Sequence, residues 1–334
     1  MLYAIYRKAT PFQLILVIVA MIVLWFAGFS RTAEAVCHPQ LSLLCAVFDN
    51  FNLWLGGLPA RILALLLLLG SGFLLTLSLS ANHLIARQTY FPALILPLFA
   101  SYSLPLQVFH MVIPALVLLI ASLHFLLTAY EKADMTKDLF TAGMFTSLAA
   151  LIYFPAIAFG LLPFLALLIY RNFDWRQWGA TFAGLFAPLL YLFSTAYFLY
   201  GGMHIREFLH AIEPDLRVSL PSHHWTMYIF WGLQAVLLLR ALASVVWHAQ
   251  ERVISYRKRN LIMMWFLFIS QLSLFLAGPA IGFHSILIFI PVSFYLTYFF
   301  FDRGFRRKWL ADLLIYMLLF SLALTIAQEH LAAA

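Results

Sequence analysis

The chain has 334 residues, of which 64% are hydrophobic and only 10% are charged, with a formal net charge of +7. A soluble globular protein is about half apolar and a quarter charged, so this composition excludes a soluble enzyme, a disordered tail and a small disulfide scaffold. With about 20 residues for each helical span, the length leaves room for roughly ten or eleven spans and no sizeable soluble domain. The composition therefore predicts an all-α polytopic membrane protein, with one integral membrane domain over residues 1–334.

The predicted elements are eleven apolar segments separated by short polar breaks. In chain order they cover residues 11–29, 60–80, 90–105, 109–128, 138–153, 155–170, 177–200, 225–247, 261–278, 282–301 and 309–327. The third, fifth and sixth segments are short and contain or adjoin proline, which predicts tilted, kinked or partly re-entrant helices. An alternative joins residues 138–170 into one bent element and reverses the direction of every later span.

The distribution of basic residues predicts the orientation. If the N-terminus is cytoplasmic and eleven spans alternate, 15 of the 20 Lys and Arg fall in cytoplasmic loops and 3 in external loops. The positive-inside rule therefore favours eleven spans, with an external C-terminus. The strongest clusters are Arg257-Lys258-Arg259 and Arg306-Arg307-Lys308. We expect both clusters to meet anionic lipid head groups.

Two external loops carry most of the other ionisable side chains. The first covers residues 30–59 and contains Glu34 and Asp49. The second covers residues 201–224, and its start has the pattern of an amphipathic helix that lies in the membrane interface. The candidate substrate-binding residues are side chains of this loop and three side chains near the outer ends of spans: His204, Arg206, Glu207, His210 and Arg217, with Arg61, His110 and His284.

Motifs of soluble enzymes are absent from the sequence. There is no phosphate-binding glycine loop, Cys-x-x-Cys pair, His-Glu-x-x-His motif or nucleophile elbow. We therefore expect no cofactor, no metal and no nucleic-acid partner. The external Arg and His residues either bind a substrate or contact lipid phosphates and cap helix ends, and the sequence leaves both alternatives open.

Two stretches resemble an uncharacterised family of polytopic inner-membrane proteins from Bacteroidota. The first contains Asn82-His83, Arg87 and Thr89-Tyr90-Phe91-Pro92-Ala93-Leu94, and ends at Ser103-Leu104-Pro105. The second contains Phe140-Thr141-Ala142-Gly143, Leu148–Pro155, Arg171–Trp178 and Gly184-Leu185-Phe186-Ala187-Pro188. The resemblance covers roughly residues 80–200 and implies a multi-pass inner-membrane protein without implying a reaction.

The same stretch more loosely resembles the membrane core of GT-C-type glycosyltransferases, which transfer sugars from polyprenyl-phosphate donors. That resemblance implies a catalytic base in the first external loop, where Glu34 and Asp49 are the matching acids. It also implies cations for the lipid phosphate, a role suited to the guanidinium groups of Arg61, Arg206 and Arg217. The chain departs from the GT-C pattern, because it has no compact pair of acids and no soluble external domain.

Three functions agree with the sequence. The preferred one is the handling of a polyprenyl-phosphate-linked sugar or lipid at the periplasmic face, by a glycosyltransferase or by a degenerate relative without turnover. The second is a non-catalytic subunit that assembles with membrane-protein partners in envelope biogenesis or secretion. The third is a transporter, for which Gln234 and Gln271 are the deepest polar side chains.

Overall fold

The computed structural model describes residues 2–6, 10–29, 45–85, 89–132, 134–171, 174–200, 225–278, 281–302 and 308–332. Every regular element in those ranges is helical. The α-helices are α1 (Leu2–Tyr6), α2 (Pro11–Phe29), α3 (Cys45–Leu55), α4 (Gly57–Ala81), α5 (Phe91–Ala100), α6 (Val112–Ala129), α7 (Thr136–Ile152), α8 (Leu161–Tyr170), α9 (Trp175–Tyr200), α10 (Trp225–Trp247), α11 (Ile254–Leu272), α12 (Leu274–Ala277), α13 (Ile281–Thr297) and α14 (Lys308–Ala332). Short 3₁₀ helices cover Leu104–Leu106, Phe154–Gly160 and Ala249–Glu251, and a π-helical turn covers Tyr298–Asp302.

Within the described ranges, seven candidate spans are long and apolar enough to cross a membrane, namely α4, α6, α9, α10, α11 with α12, α13 continued by the π-helical turn, and α14. Helix α2, helix α5 and the stretch Phe154–Tyr170 are apolar but shorter. The prediction of an all-α, multi-pass membrane protein is confirmed in the described part of the chain. Each of the eleven predicted segments coincides with helix, but eleven crossings stay a prediction.

Contacts between helix ends define two ends of the bundle. At one end Arg259, in the second turn of α11, donates hydrogen bonds to the carbonyls of Asn82, just after α4, and Leu127, near the end of α6. At the other end His284, in the first turn of α13, bonds to Tyr153, just after α7, and Ser273, just after α11. We call these the Arg259 end and the His284 end.

The chain reverses direction between α7 and α8. Asp138, in the first turn of α7, forms an ion pair of 2.8 Å with Lys132, which follows α6. Tyr170, the last residue of α8, donates its hydroxyl proton to the carbonyl of Leu126 in α6. The start of α7 and the end of α8 therefore both lie at the Arg259 end, and the alternative of one bent element over 138–170 is wrong. Pro155 disfavours continued helix at the reversal, because it lacks an amide proton and restricts the residue before it.

Helix α13 is the central helix of the described bundle. In an apolar stretch of 18 residues in this span, 89% is buried inside the protein, whereas in the corresponding stretch of α9 the share is 11%. Aromatic rings fill the space around α13: Phe289 contacts Phe99 of α5 and Trp231 of α10 at centroid distances of 5.6 and 5.4 Å. Helix α9 instead presents most of its surface outward, where apolar side chains suit contact with lipid.

Small residues let α7 and α9 pack closely. A Cβ atom on Gly184 of α9 would lie 2.2 Å from the carbonyl oxygen of Phe140 in α7. A Cβ on Gly143 of α7 would lie 3.1 Å from the amide nitrogen of Leu185. In membranes, where apolar burial gives little net gain, such close backbone approach is a main source of helix association. Both glycines belong to the motifs that carry the family resemblance, so packing alone explains this part of the motif.

Candidate functional site

The predicted site residues fall into two groups. Glu34, His204, Arg206, Glu207, His210 and Arg217 lie outside the described residues. Asp49, Arg61, His110 and His284 are described and belong to elements at the His284 end. Asp49 is exposed on α3, whereas Arg61, His110 and His284 are buried, with exposures of 5%, 1% and 0%.

The first predicted external loop contains a helix. Residues 30–59 were expected to form a loop, but α3 runs from Cys45 to Leu55 and α4 already begins at Gly57. Leu53 and Trp54 of α3 are about four-fifths exposed. A short helix with exposed Trp and Leu beside polar residues such as Asp49 is typical of a helix at a membrane–water interface.

Helix α3 packs on the turn before α6. The rings of Phe48 and Phe51 lie 4.9 and 6.0 Å from the ring of Phe109, centroid to centroid. Asn52 follows Phe48 by four positions, so the two share one face of the helix. Both polar atoms of the Asn52 side chain are buried and have no hydrogen-bond partner in the described protein.

The connection between α5 and α6, which we call segment 101–111, is mostly buried and is held by side chains from distant elements. The indole Nε1 of Trp25 donates to the Ser101 hydroxyl at 2.9 Å. The Leu104 amide donates to a carboxylate oxygen of Glu329 at 2.7 Å, which ties the segment to the end of α14. The side-chain amide nitrogen of Gln107 donates to the Ser101 carbonyl at 3.3 Å. These bonds hold this irregular backbone to distant parts of the chain.

Segment 101–111 nevertheless contains polar atoms without partners. Neither ring nitrogen of His110 forms a hydrogen bond, and the side-chain oxygen of Gln107 accepts none. The Leu106 carbonyl lies near the His110 imidazole but outside hydrogen-bond geometry. The imidazole packs edge-on against Phe283 of α13, with centroids 4.8 Å apart. His110 is thus held in an apolar contact with its polar atoms unused.

His284 is different, because the protein provides partners for both of its nitrogens. Its Nδ1 lies 2.9 Å from the hydroxyl of Tyr153, and its Nε2 lies 2.9 Å from the hydroxyl of Ser273. Ser273 donates to the carbonyl of Ser270. The chain is consistent when Tyr153 donates to Nδ1 and Nε2–H donates to Ser273, which satisfies every member. His284 therefore joins α7, α11 and α13, and it is not free to bind a ligand in this arrangement.

The Arg259 end contains an interaction that the sequence did not predict. Arg259 was expected to meet lipid head groups, but it is 2% exposed. Besides the carbonyls of Asn82 and Leu127, its guanidinium donates to Glu131 at 2.5 Å. This hydrogen bond lowers the pKa of Glu131. The expectation failed because the C-terminal ends of α4 and α6 offer unpaired carbonyls and partial negative charge, which an arginine satisfies better than lipid does.

Among the described residues, no group of three or more His, Cys, Asp and Glu is placed to hold a metal ion. Comparison of the chain with protein-family models, with curated proteins and with solved structures gives no match. The candidate site is therefore defined by its own chemistry: buried, unpartnered polar atoms of Asn52, Gln107 and His110 around the contact of α3 with segment 101–111.

Proposed function

We propose that this protein binds a polyprenyl-phosphate-linked sugar or a related lipid at its His284 end, in the inner membrane of a bacterium. The observation that carries the proposal is the group of buried polar atoms without partners in Asn52, Gln107 and His110. Leaving a buried polar group unpaired costs about 1–3 kcal/mol. Proteins retain such groups mainly where a ligand or water completes the hydrogen bonds.

The position of these atoms favours a lipid as the ligand. Exposed Leu53 and Trp54 suit α3 to the membrane interface. If α3 lies in the membrane interface, the unpaired polar atoms of Asn52, Gln107 and His110 are within reach of a lipid head group whose hydrocarbon chain stays in the membrane. Arg61, buried four residues after the start of α4, supplies the positive charge that a lipid phosphate requires.

The orientation is part of the proposal. Arg252, Arg257, Lys258, Arg259, Lys132 and Lys137 cluster at the Arg259 end, so the positive-inside rule assigns this end to the cytoplasm and the His284 end to the periplasm. The test is thiol labelling of Asp49→Cys and Lys137→Cys in intact cells, in a background in which Cys37 and Cys45 are serine. An impermeant reagent should label only the first variant, and the reverse pattern would place the site in the cytoplasm.

Turnover is the further step, and the resemblance to GT-C enzymes assigns it to Glu34 or Asp49. A carboxylate in the first external loop would accept the proton of an acceptor hydroxyl while arginines hold the phosphate. Glu34→Gln and Asp49→Asn should be measured separately for sugar transfer from a polyprenyl-phosphate donor. Unchanged transfer in both variants excludes these two carboxylates as the base and leaves a binding role.

The binding proposal itself is tested with radiolabelled polyprenyl-phosphate glucose and protein in lipid nanodiscs. We expect saturable retention that excess polyprenyl phosphate, but not excess free polyprenol, competes away. Arg61→Gln should weaken retention about tenfold, the scale of one charge-assisted hydrogen bond. Arg240→Gln, an arginine on the exposed surface of α10, is the matched control. Retention equal to that of empty nanodiscs would contradict the proposal.

A second function, that of a subunit in a larger membrane assembly, draws on the exposed surface of α9. Large apolar side chains on this helix, such as Phe186, Leu190 and Tyr191, are between half and three-quarters exposed. Such a surface fits lipid or a partner helix equally well. Purification in a mild detergent separates the two, because a subunit should bring down a stoichiometric partner that Leu190→Arg removes.

A further inference from the structure

Helix α3 and segment 101–111 meet at the Phe109 ring, and Asn52 of the first and Gln107 and His110 of the second leave both donors and acceptors unpaired. The side-chain oxygens of Asn52 and Gln107 and one nitrogen of a neutral His110 ring each need a donor. The Asn52 amide group and the other His110 nitrogen each need an acceptor. A ligand that completes this site must therefore both donate and accept.

Phosphate does not meet that requirement. An ionised phosphodiester carries only acceptor oxygens, so it would leave the oxygens of Asn52 and Gln107 unpaired. A hydroxyl group donates one hydrogen bond and accepts two. Several hydroxyls on one ring, as in a sugar, match a mixed set of donors and acceptors held on two neighbouring elements. Aromatic rings border the polar atoms: Phe109 stacks on Phe48, and Phe283 contacts the His110 imidazole.

We propose that the contact of α3 with segment 101–111 is a binding site for the hydroxyl groups of a sugar, with Asn52, Gln107 and His110 as its hydrogen-bonding residues. This inference rests on the proposed function and deepens it, since it assigns the sugar to this site and leaves the phosphate to Arg61. Water has the same mixed chemistry as a hydroxyl, and the experiment distinguishes the two.

The test compares two probes with the same chain, decyl β-glucoside and decyl phosphate. The full-length protein is studied in phosphatidylethanolamine–phosphatidylglycerol nanodiscs, because maltoside and glucoside detergents would occupy the site. We expect wild-type protein to bind the glucoside and His110→Phe to bind it about fivefold to tenfold more weakly, the scale of one or two lost hydrogen bonds. Binding of decyl phosphate should be the same in both proteins.

The thermal stability of the empty protein provides a second readout. Phe keeps the edge contact with Phe283 and removes two unpaired polar atoms, so His110→Phe should melt at the same temperature as wild type or higher. Weaker binding together with equal or greater stability marks a binding residue. A merely structural His110 would give a lower melting temperature and unchanged binding, which would overturn the inference.

Matched variants keep the result interpretable. Asn52→Leu tests the same site from α3 and should also weaken glucoside binding, even if His110→Phe does not fold. Gln177→Leu removes another buried, unpartnered amide oxygen at the start of α9, and it should leave glucoside binding unchanged.

The remaining outcomes distinguish a sugar hydroxyl from a phosphate and from water as the group that fills the site. Tighter binding of decyl phosphate that His110→Phe abolishes would overturn the assignment to hydroxyls while the lipid-binding proposal survives. Glucoside binding no greater than in empty nanodiscs would assign the site to water and overturn the inference. If polyprenyl-phosphate glucose also fails to bind, the proposed function falls with it.

Discussion

The contacts of Arg259 make a quantitative prediction about the stability of the bundle. Arg259→Gln removes the donors to the carbonyls of Asn82 and Leu127, which lie 2.9 and 3.0 Å from the guanidinium nitrogens. Each carbonyl lies at the C-terminal end of a helix. In the variant it becomes a buried acceptor without a partner, at a cost of about 1–3 kcal/mol. The ion pair with Glu131 adds little, since that side chain is 58% exposed. The expected loss is about 3 kcal/mol.

Thermal unfolding in nanodiscs, followed by size-exclusion chromatography after heating, measures this loss. A loss of about 3 kcal/mol corresponds to a fall in melting temperature of about 6 °C, taking the lower sensitivity of longer chains. Arg259→Lys should fall between wild type and the glutamine variant. A lysine ammonium keeps the charge but lacks the planar fork that reaches acceptors on two helices at once.

Arg257→Gln is the control, because Arg257 lies two positions away and is exposed. It removes the same net charge and should change the melting temperature by less than about 1 °C. Equal shifts in Arg257→Gln and Arg259→Gln would refute the reasoning, since the loss would then come from charge at the surface and not from the buried carbonyls.

Three other predictions concern packing, the His284 network and pH. Gly184→Ala should destabilise the protein by about 1–3 kcal/mol, because the added methyl group forces α9 away from α7. Gly179→Ala on the same helix is the control: its methyl group meets no atom within 4 Å, so it should be neutral or stabilising. Thermal unfolding of both variants measures the difference. Tyr153→Phe should destabilise the protein by about 1 kcal/mol, because it removes one hydrogen bond to His284. It should also shift the ¹⁵N resonances of the His284 imidazole in labelled protein. An unchanged spectrum would contradict the hydrogen bond between Tyr153 and His284. The hydrogen bond from Arg259 lowers the pKa of Glu131 in the folded state, so Glu131 stabilises the protein at neutral pH. The stability difference between wild type and Glu131→Gln should be constant from about pH 6 to 8, begin to shrink near the ordinary glutamate pKa of about 4.3, and vanish once the pH is below the lowered pKa; thermal unfolding across this pH range measures it.

The sequence predicts the helices well because hydrophobic length is a local property. All eleven apolar segments coincide with helix, and Pro155 correctly marks a break between α7 and α8. The largest boundary difference is in α11, which begins at Ile254 and not at residue 261. The intervening basic residues were assigned to a loop by their charge, although arginine and lysine form helix readily.

The environment of single polar residues could not be predicted, since it depends on contacts between distant parts of the chain. Arg259 bonds to carbonyls 132 and 177 positions away, and His284 bonds to a tyrosine 131 positions away. His110 and His284 were treated alike, as histidines near outer span ends. In the structure the second is satisfied by protein and the first is not. A local pattern that places both near one face contains no information about that difference.

The buried side chains of Arg259 and His284 are satisfied by protein partners, whereas His110 is not, and this contrast supports placing the ligand beside His110. At the Arg259 end a buried cation is matched by the carbonyls and the carboxylate around it, an arrangement that fixes the helix ends and leaves the guanidinium no capacity for a ligand. At the His284 end the hydrogen bonds of His284 are also complete, and none of them involves His110. Polar groups that the fold neither requires nor satisfies reduce stability, and a bound hydroxylated head group would recover that loss. Added ligand should therefore raise the melting temperature of wild-type protein more than that of His110→Phe at the same concentration, whereas equal shifts in both would place the ligand elsewhere.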